Sequence, residues 1–538
     1  MIVCFRQALV LQLTHIARDL FMAQAVSNTH DEVLYPSRSF SQTHPDRLAT
    51  LATLFGMSPA SVENCRVLEL GCGAGGNLIP MAFGLPYSSF VGIDLAARPI
   101  AKGQTMIQAL GLKNVQLVQL DLMDVTTDFG EFDYIIAHGL YSWVHQAVRD
   151  KLLAVCGANL APHGVAYVSY LTFPGAHLVM MLREMMLFHV RDFAASKQRL
   201  DEARALLKFL VDSQPENNDY GTFLKKEMEL LTEKVDGFLY HDELEEVYAP
   251  VYFYQFMEHA ARHGMEYLGD VDFVQMQPNF FPPETCEMLR LLAQNSLIRK
   301  EQYLDFLKCT RFRQTLLCHE GIRLDRSLKP EMASLFYVGT DLRPISKATA
   351  VASNAEEEFQ SPYGAAMLTD EPLVKAAFLH MSDIWPRSIR VDQLMAEIRP
   401  SMPLGTAAED RLILCEALLV AYGANLIEMR THLPQFVTEV SERPIASPVA
   451  RWQIQYDDSV STLCHKRIHL TDPLARHLLL LLDGTRDRVA LLTEISLLIQ
   501  SGTLRVEQAA EKQNTIESLL SIVEERLKRL ANLPLLIA

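Results

Sequence analysis

The residues most able to do chemistry lie in one run, Val67-Leu68-Glu69-Leu70-Gly71-Cys72-Gly73-Ala74-Gly75-Gly76-Asn77. It reads as an apolar strand entering a glycine-rich turn and then a helix. Glycine lets the backbone take positive φ and pass close to a ligand. The helix start behind it offers unpaired N–H groups. A dinucleotide site is the first reading to weigh, but the spacing is G-x-G-x-G-G rather than G-x-G-x-x-G. Glu69 stands two residues before the first glycine, where it would repel a pyrophosphate and attract a cationic ligand.

Two further acids fall at the ends of the next strands. Asp94 follows Gly75 by 19 residues, where an acid in a doubly wound sheet accepts hydrogen bonds from ribose hydroxyls. Asp121, beside Leu122, closes the third strand. An acid with an apolar neighbour can bind an exocyclic amine and pack on its ring. Each acid alone reads as well as a turn or helix-cap residue. Three at successive strand ends read as one site.

The elements that must carry these residues alternate. Arg66–Leu70, Phe90–Asp94, Val115–Leu120, Phe132–Ala137 and Val165–Leu171 are strand candidates, with helical segments such as Ile100–Leu110 between them. Apolar strands alternating with helices predict a parallel sheet covered on both faces. Leu178–Leu239 reads as helix nearly throughout. Met265–Val274 and Phe312–His319 flank a helical stretch, Pro283–Cys309, and read as an antiparallel pair closing the sheet. Lys347–Pro362, with Glu356-Glu357-Glu358, reads as a solvated linker. Beyond it, Leu368–Lys375 (LTDEPLVK) echoes Leu470–Arg476 (LTDPLAR), as two small winged-helix-like modules would. Ile516–Leu530 reads as a C-terminal helix.

Composition excludes other classes. The chain has 538 residues, 49 basic and 65 acidic, for a net charge of −16. An acidic chain gains nothing from counterion release, so nucleic acid is not the expected ligand. The nine cysteines are scattered and form no CxxC, which argues for a reducing, cytoplasmic setting and against disulfides or a zinc site. No apolar run reaches the ~18 residues of a membrane span. The first 25 residues imitate a signal peptide, but His15, Arg18 and Asp19 interrupt the short apolar stretch. An amphipathic extension is expected, with Met22 an alternative start.

The run VLELGCGAGGN resembles the first motif of class I S-adenosylmethionine-dependent methyltransferases. Tyr35-Pro36 through Gln42-Thr43-His44-Pro45-Asp46-Arg47-Leu48, the loop His138-Gly139-Leu140-Tyr141-Ser142-Trp143-Val144, and residues 238–320 resemble the members that carry a methyltransferase regulatory domain. Some of these are bacterial lysine methyltransferases acting on outer-membrane proteins. The resemblance implies an α/β, Rossmann-like methyltransferase sheet with an antiparallel closing strand. The order implied is an extension (1–30), the core with the cofactor site (31–177), a helical insertion serving dimerisation (178–240) and a regulatory segment (241–320). A middle domain (321–440) and a C-terminal winged-helix-like domain (441–538) follow.

It also implies S-adenosyl-L-methionine as cofactor, with Gly71, Cys72, Gly73 and Asn77 around it. Glu69 would face its methionine part, Asp94 and Leu95 the ribose, and Asp121 and Leu122 the adenine. Gln42, His44 and His138 are the further cofactor candidates. The expected partner is a protein presenting lysines, and a homodimer is expected. No metal, nucleic acid or membrane insertion is expected. A lysine has an ordinary pKa of ~10.4 and must lose a proton before it attacks. Aromatic, desolvating groups favour that loss and hold the cationic product. Tyr141 and Trp143, in a loop at a strand's carboxyl end, and Tyr35, on an entry segment able to close as a lid, are the catalytic candidates. Tyr252 and Tyr254 read more simply as core. The rivals are N- or O-methylation of a small molecule and a non-catalytic protein that binds the cofactor as a signal.

Overall fold

The structure is a computed structural model. It describes residues 35–215, 218–232, 236–278, 281–346, 351–401, 405–505 and 516–538. The reading of 1–30, and Met22 within it, lies outside the described residues. Seven strands form the main sheet: β1 (Arg66–Leu70), β2 (Ser89–Asp94), β3 (Val115–Gln119), β4 (Phe132–Ala137), β5 (Leu160–Leu171), β6 (Met265–Asp270) and β7 (Phe312–His319). Their order is β3-β2-β1-β4-β5-β7-β6. The first five run parallel. β7 runs antiparallel between β5 and β6, with Tyr167 opposite Leu316 and Met265 opposite His319.

Leu68, Tyr134, Ile135, Ile136, Tyr167 and Val168 are all buried, as a sheet covered on both faces requires. Two boundaries differ from the sequence reading by more than one residue. β5 begins at Leu160, and β6 stops at Asp270, where Phe273–Met276 turns into a short 3-10 helix. β7 is pinned from behind. Arg313 donates to both oxygens of Asp305 at 3.0 Å and to Glu301 at 3.2 Å, all three side chains being buried.

The segment read as a helical insertion is four helices, Ala176–Val190, Ser196–Asp212, Asp219–Thr232 and Asp236–Glu243. They share a core of their own, built on Leu182, Met186, Leu200, Leu207 and Leu239. The stretch around Tyr252 and Tyr254 starts the helix Phe253–Ala261, with Phe253 and Phe256 buried and Tyr254 exposed.

The segment read as a solvated linker is corrected by the structure in its second half. Glu357–Gln360 is the central strand of a small antiparallel sheet with Arg343–Pro344 and Ala366–Thr369. Phe359 is fully buried on one side while Glu358 faces water on the other. The run of acids hid that alternation; residues 347–350 lie outside the described residues. In both sequence repeats a short strand leads to a helix with proline in its first turn, Pro372–Ile384 and Pro473–Leu481. Their surroundings differ. Leu373 and Phe378 join the core that also packs the main sheet. Leu474 and Leu478 belong to a separate core with Leu491, Val523 and Leu527. That last unit holds the helices Pro448–Gln453, Arg488–Gln500 and Ile516–Asn532, and a hairpin of Ser459–Ser461 and Arg467–His469.

Candidate functional site

The glycine turn leaves β1 at Gly71 and is tied to the neighbouring strand. The N–H groups of Gly71 and Cys72 donate to the Ile93 carbonyl at 2.9 and 3.0 Å. Gly73 has φ +54°, and a Cβ built there would meet nothing within 4 Å, so this backbone borders open space. Asp94 accepts from the N–H groups of Gly73 and Ala96, each at 2.8 Å. The turn and the end of β2 thus hold each other. Cys72 contributes backbone only: its thiol is buried beneath Gly92, where a Cβ would come within 2.8 Å of Sγ. Leu95, by contrast, is exposed.

Asn77, one residue before the helix Leu78–Gly84, is the hub of the site. Its Oδ1 accepts the Phe40 N–H at 2.9 Å, and its Nδ2 donates to Glu69 Oε1 at 2.8 Å and Thr43 Oγ1 at 2.9 Å. Glu69 is buried, and its second oxygen, Oε2, has no partner among the described residues. Burial, with Asp94 nearby, pushes its carboxyl up to about 8, against the pull of Asn77. A buried carboxylate oxygen with nothing to accept from is the complement of an ammonium group.

The entry segment lies over this turn. Ser37 Oγ accepts the Gly76 N–H at 2.8 Å. Arg38 sits over the Phe238 ring at 3.6 Å, and the Tyr35 ring meets Phe238 edge-on at 4.9 Å. The segment therefore bridges the glycine turn and the last helix of the insertion. Burial and Asp242 raise the Tyr35 hydroxyl far above its ordinary range. Gln42, in the 3-10 turn Ser41–Thr43, is half-buried and its side chain makes no hydrogen bond among the described residues. His44 caps the helix Pro45–Leu54, its Nδ1 accepting the Asp46 N–H at 3.2 Å.

His138 ends β4. Its ring lies 4.0 Å from that of Phe40, and its Nδ1 meets the Tyr167 hydroxyl at 2.9 Å, which donates onward to Gln314 at 2.8 Å. With its proton committed to Gln314, the tyrosine accepts from Nδ1–H, and Nε2 is the unprotonated nitrogen. Burial lowers this imidazole to about 4, so it is neutral. Asp121 caps the turn Leu122–Asp124 through the Met123 N–H at 2.9 Å, and Leu122 is buried.

The structure does not bring Tyr141 to these residues. Its side chain is 2% exposed and packs on Phe256 and Tyr170. Its hydroxyl bonds to His259 Nδ1 at 2.8 Å, and His259 and His263 both reach Asp150 at 3.0 Å. A loop aromatic at a strand end here has a packing role that the sequence did not betray. Trp143, in the same 3-10 turn, is half-buried and its indole N–H has no partner among the described residues.

Sequence reasoning missed Ser37, Phe40 and Thr43, although all three lie in or beside the entry motif. It also missed His465, whose Nε2 lies 2.9 Å from Asn77 Oδ1. Nothing local in the sequence marks that contact.

The open space at Gly73, the open oxygen of Glu69 and the acids Asp94 and Asp121 at successive strand ends fit S-adenosylmethionine. Residues 67–164 match the family described as Methyltransferase domain, 235–319 the Predicted methyltransferase regulatory domain, and 442–535 the PKMT C-terminal winged helix domain. The chain is 34% identical to the uncharacterized protein RP789 of Rickettsia prowazekii over 93% of its own length and 92% of that protein's. The structure of PKMT2 from Rickettsia typhi superposes with a TM-score of 0.84 at 30% identity, covering 94% of this chain and all of that one, and PKMT2 is also known in complex with AdoHcy. The chain belongs to the family of S-adenosylmethionine-dependent methyltransferases that includes PKMT2, built from a Rossmann-like core, a methyltransferase regulatory domain and a C-terminal winged helix.

Proposed function

We propose that the protein methylates lysine side chains of a protein substrate. The observation that carries this reading is the likeness to PKMT2, a protein lysine methyltransferase, along nearly the whole chain rather than over the cofactor domain alone. Glu69, Asn77, Gly71, Gly73 and Asp94 would hold the cofactor, with Asp121 and Leu122 at its adenine end. Leu95, Gln42 and His44 complete the proposed cofactor set. S-adenosylmethionine, when bound, supplies a methyl group on a sulfonium centre.

This chain's own residues supply alignment and dryness. Phe40 and His138 make an apolar face at the end of β4. A lysine ammonium brought there loses hydration, which lowers its pKa and releases the attacking amine. The bare Nε2 of His138 accepts a hydrogen bond from that amine. Tyr35 and Trp143 are proposed as the aromatic groups that bracket it. Tyr141 is proposed to act indirectly, by holding the loop that carries Trp143.

Outer-membrane proteins, presented unfolded in the cytoplasm, are the proposed substrate class. Two features of the chain are compatible with that setting. The eight described cysteines are all unpaired, and among the described residues no helix is long and apolar enough to cross a membrane. A homodimer through the insertion is also proposed. Phe188, Phe209 and Leu230, on three of its helices, are exposed, and exposed apolar side chains of that size favour cover.

The test is transfer of labelled methyl from S-adenosylmethionine to unfolded outer-membrane proteins and, separately, to a small-metabolite extract, with mass spectrometry of both. Label on protein lysines is expected. Label confined to metabolites would replace the lysine reading by small-molecule methylation. Cofactor binding with no transfer to either pool would favour a cofactor sensor. Light scattering at several concentrations reads the dimer, and a monomer throughout would remove it.

A further inference from the structure

His465 stands at the tip of the hairpin between Ser459–Ser461 and Arg467–His469. Its backbone is left-handed, φ +59°, a conformation uncommon outside glycine that asparagine, aspartate and histidine adopt more readily than other residues. The turn itself does not need an imidazole: the bonds that close it, Thr462 N–H to the Lys466 carbonyl and His465 N–H to the Thr462 carbonyl, are backbone bonds. The imidazole instead leaves the hairpin, is 4% exposed, and meets Asn77 Oδ1 at 2.9 Å.

Proton positions follow from the partners. The Phe40 N–H is an obligate donor, so the Asn77 atom it meets is the oxygen. His465 Nε2 must then carry its proton and donate it. Nδ1 is bare, and it is buried without a partner among the described residues. Burial lowers the imidazole to about 3, so it donates as a neutral group. With its oxygen fixed by these two donors, Asn77 has its amide nitrogen directed at Glu69 Oε1, which leaves Oε2 open. The same hairpin also touches the entry segment, through Ser461 to Ser39 at 3.0 Å and the His465 ring to that of His44 at 5.1 Å.

We propose that His465 is a positioning residue for the cofactor site, supplied by the C-terminal unit: it locks Asn77, and Asn77 directs the open oxygen of Glu69 at the ammonium group of the cofactor's amino-acid end. The winged-helix unit is then part of the cofactor site. The inference rests on S-adenosylmethionine binding and not on which substrate is methylated.

The experiment compares two ligands of the full-length protein by calorimetry. S-adenosylhomocysteine carries the amino-acid end; 5′-methylthioadenosine has the same adenosine and lacks it. His465→Asn suits the left-handed turn, so it keeps the hairpin, but its side chain is too short to reach Asn77. It is expected to fold and to melt only slightly below the parent, to bind S-adenosylhomocysteine about tenfold more weakly, and to bind 5′-methylthioadenosine within twofold of the parent. His465→Gln, whose amide N–H can reach Asn77, is expected to recover most of the loss. Equal weakening of both ligands in His465→Asn would show a structural role only, and unchanged binding of both would show no role. Either result would overturn the proposal. Should His465→Asn fail to fold, the same comparison on His465→Gln and Asn77→Ala decides. A loss for S-adenosylhomocysteine alone in Asn77→Ala, absent in His465→Gln, is expected, and equal losses for the two ligands would overturn it.

Discussion

His465 donates a hydrogen bond to Asn77 across 388 residues of chain, from a hairpin tip in the C-terminal unit to the helix start beside the glycine turn. Asn77 in turn holds Glu69. The hydrogen-bond network around Asn77 therefore joins three parts of the chain: the glycine turn, the entry segment and the C-terminal hairpin.

Glu69 should couple cofactor binding to a proton. Its carboxyl sits at about 8 in the ligand-free protein, so at pH 7 it is mostly protonated. An ammonium ligand favours the ionised form, and binding must release the proton. S-adenosylhomocysteine affinity should rise up to about tenfold per pH unit from 6 toward 8 and then level. Calorimetry in buffers of different ionisation enthalpy should count about one proton released per site at pH 6.5. Glu69→Gln should abolish both. The ligand-free protein should also lose stability as pH rises from 4.5 toward 8, because this folded-state pKa is raised. A flat affinity profile in the parent protein would place Glu69 away from the ammonium.

Two glycines in one turn should fail differently. Gly73→Ala meets no atom, but forces a left-handed alanine, costing about 1 kcal/mol, and intrudes on the open space. It should leave the fold nearly intact and weaken cofactor binding tenfold or more. Gly76→Ala would place a methyl 2.3 Å from Ser37 Oγ and 2.5 Å from its backbone carbon, so it should dislodge the entry segment. Limited proteolysis near Ser37 should accelerate in Gly76→Ala and not in Gly73→Ala.

Tyr141→Phe removes one hydrogen bond, to His259, inside a packed core. It should cost about 1 kcal/mol by denaturant titration and leave methyl transfer within about threefold. Burial holds the hydroxyl up to about 12, so the pH–rate profile below 10 should not change. A loss of a hundredfold or more in kcat, with stability preserved, would return the hydroxyl to the reaction.

Arg313 contacts three buried carboxylates, those of Asp270, Glu301 and Asp305, and Lys300 also reaches Glu301, at 3.9 Å. Arg313→Leu would take that partner from Asp270 and Asp305 and leave Glu301 only Lys300, and losing one partner of a buried ion pair typically costs about 3–5 kcal/mol. The loss should shrink at pH 5, because burial already raises all three acids toward their neutral forms. A loss under 1 kcal/mol at pH 7 would mean that water reaches the cluster.

Much of this protein was legible in its sequence because the information was local. An apolar strand buried on both faces writes itself as a short continuous run, and Arg66–Leu70, Phe132–Ala137 and Phe312–His319 begin and end where their sequence patterns do. The glycine turn and the acids at the strand ends are local too, since each is fixed by the element that carries it. Tertiary structure decided what depends on packing between distant segments. It buried Tyr141 against Phe256 and Tyr170, although its loop looked open. It turned an acidic run into a strand, because Phe359 found a pocket to fill. It brought His465 to Asn77, because the energy of that contact lies between two units that the sequence describes only one at a time.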